Sequence, residues 1–380
     1  MLFLNNDDVR AVLTPEMTLD ALRESYLQLY AGDAVCRPNM ATAIPTGERD
    51  AHFLWTSTEG GSAISGYFAS RVKNDIAYRT EYEGVVTREK YSVQPGKYCG
   101  LIFLVKVKNA ELIAIINDSV IQRHRVGADC ALGSDYMARP NAQVLGMLGS
   151  GGMAHTQLAC TLALRKNIKR VQIFSPTQDH REAFAREIRE KYEIEAVAVE
   201  SGEAAFKGAD MIAGCTDGGF AGEENNAAII GRWLEPGQHW TSIGGGADSL
   251  ARQRTDLALR FGNAPAPIGL PGWATDHESA VYAIPASNPR FADDAFYLSR
   301  YGRNQTERQE MVPGKTVYLA DMLAGRAQGR TSDEQITFSE RGNLNGAQFH
   351  AVAARVYEAA LARGIGRDVP TEWFLEDERN

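Results

Sequence analysis

The residues of this chain best placed for chemistry form a glycine turn, Gly149-Ser150-Gly151-Gly152-Met153-Ala154, which fits G-x-G-x-x-A. It follows a predicted strand, 143–148, and opens a predicted helix, 153–166, the context in which the motif has physical meaning. Gly149 permits the tight turn, Gly151 lets a diphosphate approach the backbone, and Ala154 keeps the helix close to the sheet. The helix N-terminus offers free N–H groups to the phosphates. Ser150, Gly152 and Met153 complete the expected contact, and Thr216, just past the strand 210–214, adds a residue across the turn. A glycine-rich βα turn without a ligand is the alternative. At the end of the next strand, where an acid normally takes the ribose 2′-hydroxyl, the chain has Ser175-Pro176-Thr177, with His180 and Arg181 beyond. Loss of the acid removes repulsion against a 2′-phosphate, and hydroxyls with an arginine can bind one. Ser175, Thr177 and Arg181 therefore point to NADP in preference to NAD.

Such a turn works only at the edge of a parallel sheet, and the elements around it supply one. After residue 125 the pattern alternates. A helix over 125–138 is followed by strands 143–148, 170–174, 195–199, 210–214 and 239–243, with helices 153–166, 179–192 and 202–208 between them. That rhythm predicts an α/β, Rossmann-type doubly wound sheet. The first 120 residues read differently. Leu2 to about Gly32 reads as helical, with Thr14 capping and Pro15 in the first turn. Strands follow at 51–55, 66–72, 100–107 and 111–116, giving an α+β unit. Residues 262–315 read as a long irregular excursion, and helices return at 318–323 and 345–363.

The 380 residues carry a net charge of −8, which argues against nucleic acid or an anionic membrane as a partner. No 18-residue apolar run and no signal-like N-terminus are present, so a cytoplasmic protein is expected. Five cysteines without a C-x-x-C read as reduced thiols, and no HExxH or Cys/His cluster predicts a metal. Thirty-six glycines, about 9% against a usual 7%, concentrate at 149–152 and 244–246.

The chain resembles the ornithine cyclodeaminase/mu-crystallin family. The likeness rests on Leu4 to Val12, Arg37-Pro38, Lys73, Arg125-Val-Gly-Ala128, the glycine turn, Gly246-Ala-Asp-Ser249 and the stretch from Asp321 to Phe338. It implies a Rossmann unit, 126–324, inserted into a smaller α+β substrate and dimerisation domain, 1–125 plus 325–380, and hence a homodimer. It also implies NAD(P)-dependent hydride transfer at a carbon bearing nitrogen beside a carboxylate, with a small amino or imino acid as substrate.

On the same resemblance, Arg37 and Arg125 correspond to carboxylate-binding arginines, a pairing that guanidinium geometry favours. Lys73 corresponds to the lysine at the substrate carboxylate or reacting centre. Asp248 corresponds to the aspartate that binds a distal amine and moves protons; capping the helix that begins at Ser249 is its other reading. His155 and His239 read as packing residues. Three outcomes stay open: an imino-acid reductase or amino-acid dehydrogenase, a cyclodeaminase using catalytic NAD, or a non-catalytic NADPH-bound protein. The segment after Asp248, Ser-Leu-Ala-Arg-Gln-Arg-Thr-Asp256, lacks the Pro and Lys-x-Glu common in relatives and points away from an ornithine-type substrate.

Overall fold

The structure, a computed structural model, describes residues 1–48, 51–82, 85–216, 227–244, 246–265, 269, 279–283, 312–340, 342 and 344–376. Of the irregular excursion, Trp273, His277, Tyr297 and Tyr301 lie outside the described residues.

The chain opens with strand β1 (Leu2–Leu4), not a helix: it pairs in parallel with a later strand and buries Leu2 and Leu4. Helices α1 (Asn6–Val12) and α2 (Pro15–Ala31) follow. Thr14 Oγ1 accepts from the Met17 N–H and Pro15 stands at the first helical position, as the sequence predicts. Seven strands come next: β2 (Ala34–Cys36), β3 (Asn39–Pro45), β4 (Ala51–Ser62), β5 (Tyr67–Tyr82), β6 (Val85–Tyr91), β7 (Cys99–Lys106) and β8 (Leu112–Asn117).

Helix α3 (Ser119–Met137) starts earlier than the expected Arg125. Asn117 Oδ1 takes the Ser119 N–H and starts it a turn and a half sooner. The doubly wound unit then runs β9 (Val144–Leu148), α4 (Gly152–Leu164), β10 (Arg170–Phe174), α5 (Gln178–Tyr192), β11 (Glu195–Ala198), α6 (Gly202–Phe206), β12 (Met211–Gly214), β13 (His239–Ser242), α7 (Ser249–Arg254) and β14 (Leu257–Arg260). Last come β15 (Ser279–Ala283), β16 (Thr316–Tyr318), α8 (Leu319–Leu323), β17 (Thr337–Glu340), α9 (Asn345–Arg363) and β18 (Arg367–Asp368).

Among the described residues there are two sheets. The first has the order β15-β3-β4-β5-β7-β8-β1-β18, with β2 and β6 pairing β4 and β5. The second, entirely parallel, has the order β11-β10-β9-β12-β13-β17-β14-β16. Two strands cross the expected division of the chain. β17, expected in the smaller domain, lies inside the parallel sheet between β13 and β14. β15, from the excursion, joins β3 of the first sheet.

Apolar alternation fixes both layers of the second sheet. Met147, Ile173 and Ala213 face α4 and α5, whereas Ile212, Trp240 and Phe338 face α6 and α7. Trp240 stacks on Phe338 at 3.9 Å and donates to Thr255 Oγ1, so the inserted strand is clamped by an aromatic pair. The first sheet is covered by α1, α2, α3 and α9 through Leu19, Leu22, Ile102, Leu104, Ile116 and Val352. Burying each such side chain contributes roughly 1.5–3 kcal/mol.

Candidate active site

The order of the parallel sheet reverses between β9 and β12, and ligands of such sheets bind beyond the strand ends at that point. The glycine turn sits there. Gly149 has φ +108°, and a Cβ on it would lie 2.5 Å from the Cys215 carbonyl oxygen, so only glycine fits. Its N–H donates to the Phe174 carbonyl (2.7 Å) and the Cys215 N–H to the Leu148 carbonyl (2.7 Å), which locks the turn to both neighbouring strands. Thr216 follows on the far side.

Gly151 precedes α4 and no side chain caps the helix. A Cβ at Gly151 would meet nothing within 4 Å, so the space before these N–H groups is open. Ala154 is fully buried against the sheet, while Ser150, Gly152 and Met153 are part-exposed at the mouth. An uncapped N-terminus, an open approach and glycines at 149, 151 and 152 together fit a dinucleotide diphosphate.

At the end of β10, Ser175 is buried and Thr177, at the N-cap of α5, is exposed and makes no cap bond. Arg181 is also buried. Its guanidinium donates to the Ser175 (3.0 Å) and Pro176 (3.3 Å) carbonyls and to Glu200 (2.8 Å). It props the turn from below and its charge is matched by a carboxylate, features that spacing alone does not reveal.

Helix α3 connects this turn to a group of buried cations. It packs so closely on α4 that a Cβ at Gly127 would lie 2.7 Å from the Gln157 nitrogen. Arg123, exposed on α3, places Nη1 2.9 Å from where a Gly152 Cβ would stand. Two residues on, and on another side of the helix, Arg125 is buried. It donates to Gln122, to Asn345 Oδ1 (2.5 Å) and to Gln348 Oε1 (2.8 Å), with its guanidinium 4.7 Å from the Phe349 ring centre.

Gln348 is oriented in turn. Its Nε2 donates to Tyr26 Oη (2.8 Å), and the tyrosine hydroxyl donates to buried Asp129. Burial and Asp129 hold the Tyr26 pKa well above its ordinary value, so the hydroxyl keeps its proton and the chain of bonds keeps its direction.

Lys73 and Arg71 share one face of β5. Arg71 is buried, bound to Asp118 by Nε (2.8 Å) and Nη2 (2.6 Å), and lies 5.0 Å from the same Phe349 ring. Asp118 occupies the space above Gly100, directly opposite Lys73 in the register; a Cβ at Gly100 would lie 2.3 Å from its carboxyl. Lys73 Nζ is 3.0 Å from Asp75. The sequence reading missed Arg71, Asp118, Asp75, Gln348, Phe349 and Arg123. Alternation with Lys73 along β5 is the signal for Arg71 and Asp75, and the others come from segments with no shared motif.

Two expected site residues have structural partners of their own. Arg37 is ion-paired with Glu59 and donates to Ser57 Oγ (3.4 Å). Those residues alternate with Thr56 and Thr58, which stand opposite Lys73 and Arg71, so Arg37 occupies the other face of the sheet. Asp248 realises its capping alternative: Oδ1 accepts from Ala251 N (2.6 Å), and both oxygens accept from Gly231 N at 3.0 Å. His155 packs edge-on against Phe184, and His239 is buried with Nδ1 3.0 Å from Thr337 Oγ1, so both behave as packing residues.

The sequence profile of the ornithine cyclodeaminase/mu-crystallin family matches residues 72–262, half of the chain. The chain belongs to the ornithine cyclodeaminase/mu-crystallin family. It is 23% identical over 270 residues to a Delta(1)-pyrroline-2-carboxylate reductase of Bacillus cereus, covering 71% of this chain and 74% of the relative. In fold it is similar to the Delta(1)-pyrroline-2-carboxylate reductase of Thermococcus litoralis in complex with NADH and L-proline, with a TM-score of 0.70 and 21% identity over 97% of this chain and 100% of that one. It is similar also to an archaeal alanine dehydrogenase dimer with bound NAD, with a TM-score of 0.70 and 19% identity over 97% and 99%. The profile match begins beside Lys73 and ends just past β14. Among the described residues no cluster of His, Cys, Asp or Glu could hold a metal, and no helix is long and apolar enough to cross a membrane.

Proposed function

We propose that this chain is an NAD(P)-dependent reductase acting at the imine carbon of a small, carboxylate-bearing imino acid. The observation that carries the reading is the shared helix α3, which joins a diphosphate-fitting turn to a buried cationic cleft. Reduced nicotinamide, when bound, supplies a hydride. The chain's residues do the rest. Arg125, fixed by Asn345 and Gln348, holds the substrate carboxylate and so orients the imine carbon. Lys73 binds at the carboxylate or the reacting centre. Gly149 to Ala154 and Thr216 carry the diphosphate, with Arg123 adding a cation beside Gly152.

NADP is the preferred cofactor, read by Ser175 and Thr177, with Arg181 acting through the turn it supports. Arg37 and Asp248, predicted for substrate and proton handling, are proposed instead to stabilise the face and the turn they occupy. The assembly is proposed as a homodimer through the outer face of the first sheet, which exposes Val35, Ile44 and Trp55. Support comes from the archaeal dehydrogenase described as a dimer.

Mixing the protein with NADPH or NADH and Delta(1)-pyrroline-2-carboxylate, and following loss of the reduced-nicotinamide absorbance, tests the reading. Turnover is expected, faster with NADPH. Proline and ammonia released from ornithine with catalytic NAD, in the absence of imino-acid reduction, would replace the reading with a cyclodeaminase.

A further inference from the structure

Asp75 is a buried acid beside Lys73 that none of the roles above uses. It lies on β5 two residues from Lys73, on the same face, with its side chain 2% exposed. Oδ2 is ion-paired with Lys73 Nζ at 3.0 Å. Oδ1 is buried and has no hydrogen-bond partner among the described residues. A buried carboxylate oxygen left unsatisfied is costly, and a ligand or a water can complete it. The acid expected to serve the nitrogen, Asp248, has its oxygens on Ala251 N and Gly231 N.

We propose that Asp75 Oδ1 is the acceptor for the N–H of the substrate's protonated imine, a catalytic role resting on the reductase reading above. The substrate's nitrogen then meets Asp75 beside Lys73, which binds its carboxylate. The imine nitrogen takes its proton from solvent on binding, and the carboxylate favours that charged form. Hydride adds to the iminium carbon, a C–H bond forms, and the C=N π pair moves onto nitrogen. The product is a neutral secondary amine, which water protonates. Hydride and iminium charges cancel, and no further oxidant or reductant is needed. Asp75 and Lys73 stay in their charge states throughout.

Asp75→Asn keeps the shape and an acceptor for Lys73 while removing the charge. For this variant kcat/KM with Delta(1)-pyrroline-2-carboxylate is expected to fall about hundredfold at neutral pH and much less in acid, where the imine is protonated without help. Binding gives a second readout. Wild-type protein should bind L-proline at least tenfold more tightly than tetrahydrofuran-2-carboxylate, which has no cationic N–H, and Asp75→Asn should bind the two about equally. A merely structural Asp75 would weaken both ligands together and leave the pH profile unshifted. Unchanged kcat/KM at every pH, or a proline preference kept in the variant, overturns the proposal while the reductase reading stands. Wild-type protein that reduces no imino acid overturns the reductase reading itself, and this role with it.

Discussion

At the phosphate end, one run of consecutive residues, Gly149 to Ala154, forms the turn and the uncapped start of a helix at one strand end. At the cationic end, Arg71, Lys73 and Asp75 come from β5, Asp118 and Arg125 from the start of α3, and Gln348 and Phe349 from α9, more than 270 residues along the chain from Lys73. The first construction depends on what a backbone can adopt. The second depends on side chains whose partners are remote, so each position is held by another: Arg125 by Gln348, Gln348 by Tyr26, Tyr26 by Asp129. The turn should therefore fail through single backbone changes, and the cleft through loss of charge or orientation.

The largest effect is expected at the cleft's charge. Lys73→Met should lower kcat about a thousandfold while leaving NADPH affinity within twofold, as steady-state kinetics beside fluorescence titration would reveal. Loss of cofactor binding would break the separation of the two ends.

Gly149→Ala comes next. Its φ of +108° and the 2.5 Å approach to the Cys215 carbonyl should cost about 3 kcal/mol of stability and tenfold or more in cofactor affinity. A chemical denaturation curve matching wild type would show that the turn has room the geometry denies.

Acid should loosen the cleft's two supporting helices. His124 on α3 and His350 on α9 are held down to a pKa of about 4 chiefly by burial. Their folded values lie below the usual 6.5, so between those limits the unfolded chain binds more protons. Stability is then full above pH 6.5 and falls as pH drops toward 4, by about 3 kcal/mol for each group. Melting temperatures that stay flat across this window would show the imidazoles to be hydrated in solution.

Smaller again, Gln348→Met should raise KM for the imino acid about tenfold with kcat little changed, since it frees Arg125 without removing its charge. An equal fall in kcat would mean that the glutamine also meets the reacting centre. Arg123→Gln sharpens the contrast least: NADH and NADPH should weaken together, several-fold, because both carry the diphosphate. Loss confined to NADPH would move Arg123 to the 2′-phosphate.

The two ends were also unequally legible. The turn, the strand before it and the parallel sheet follow from G-x-G-x-x-A and alternating apolar runs, because the constraints act within a few residues. The late helix 345–363 was legible too, bounded by Asn345 and Arg363, but its partner in the cleft was not. Nothing local distinguishes Gln348 from any polar residue on a helix.

By itself the amino-acid sequence determined the doubly wound architecture, the phosphate turn and the cations available for a carboxylate. Only the tertiary structure decided which of them meet. Register put Arg37 on the opposite face of the sheet from Lys73, because side chains alternate with a period of two. The approach of Gly231 to α7 made Asp248 a cap. Packing around β5 left Asp75 buried beside Lys73, one oxygen unpaired among the described residues. Charge is written in the sequence, but desolvation and direction are set by what packs around it.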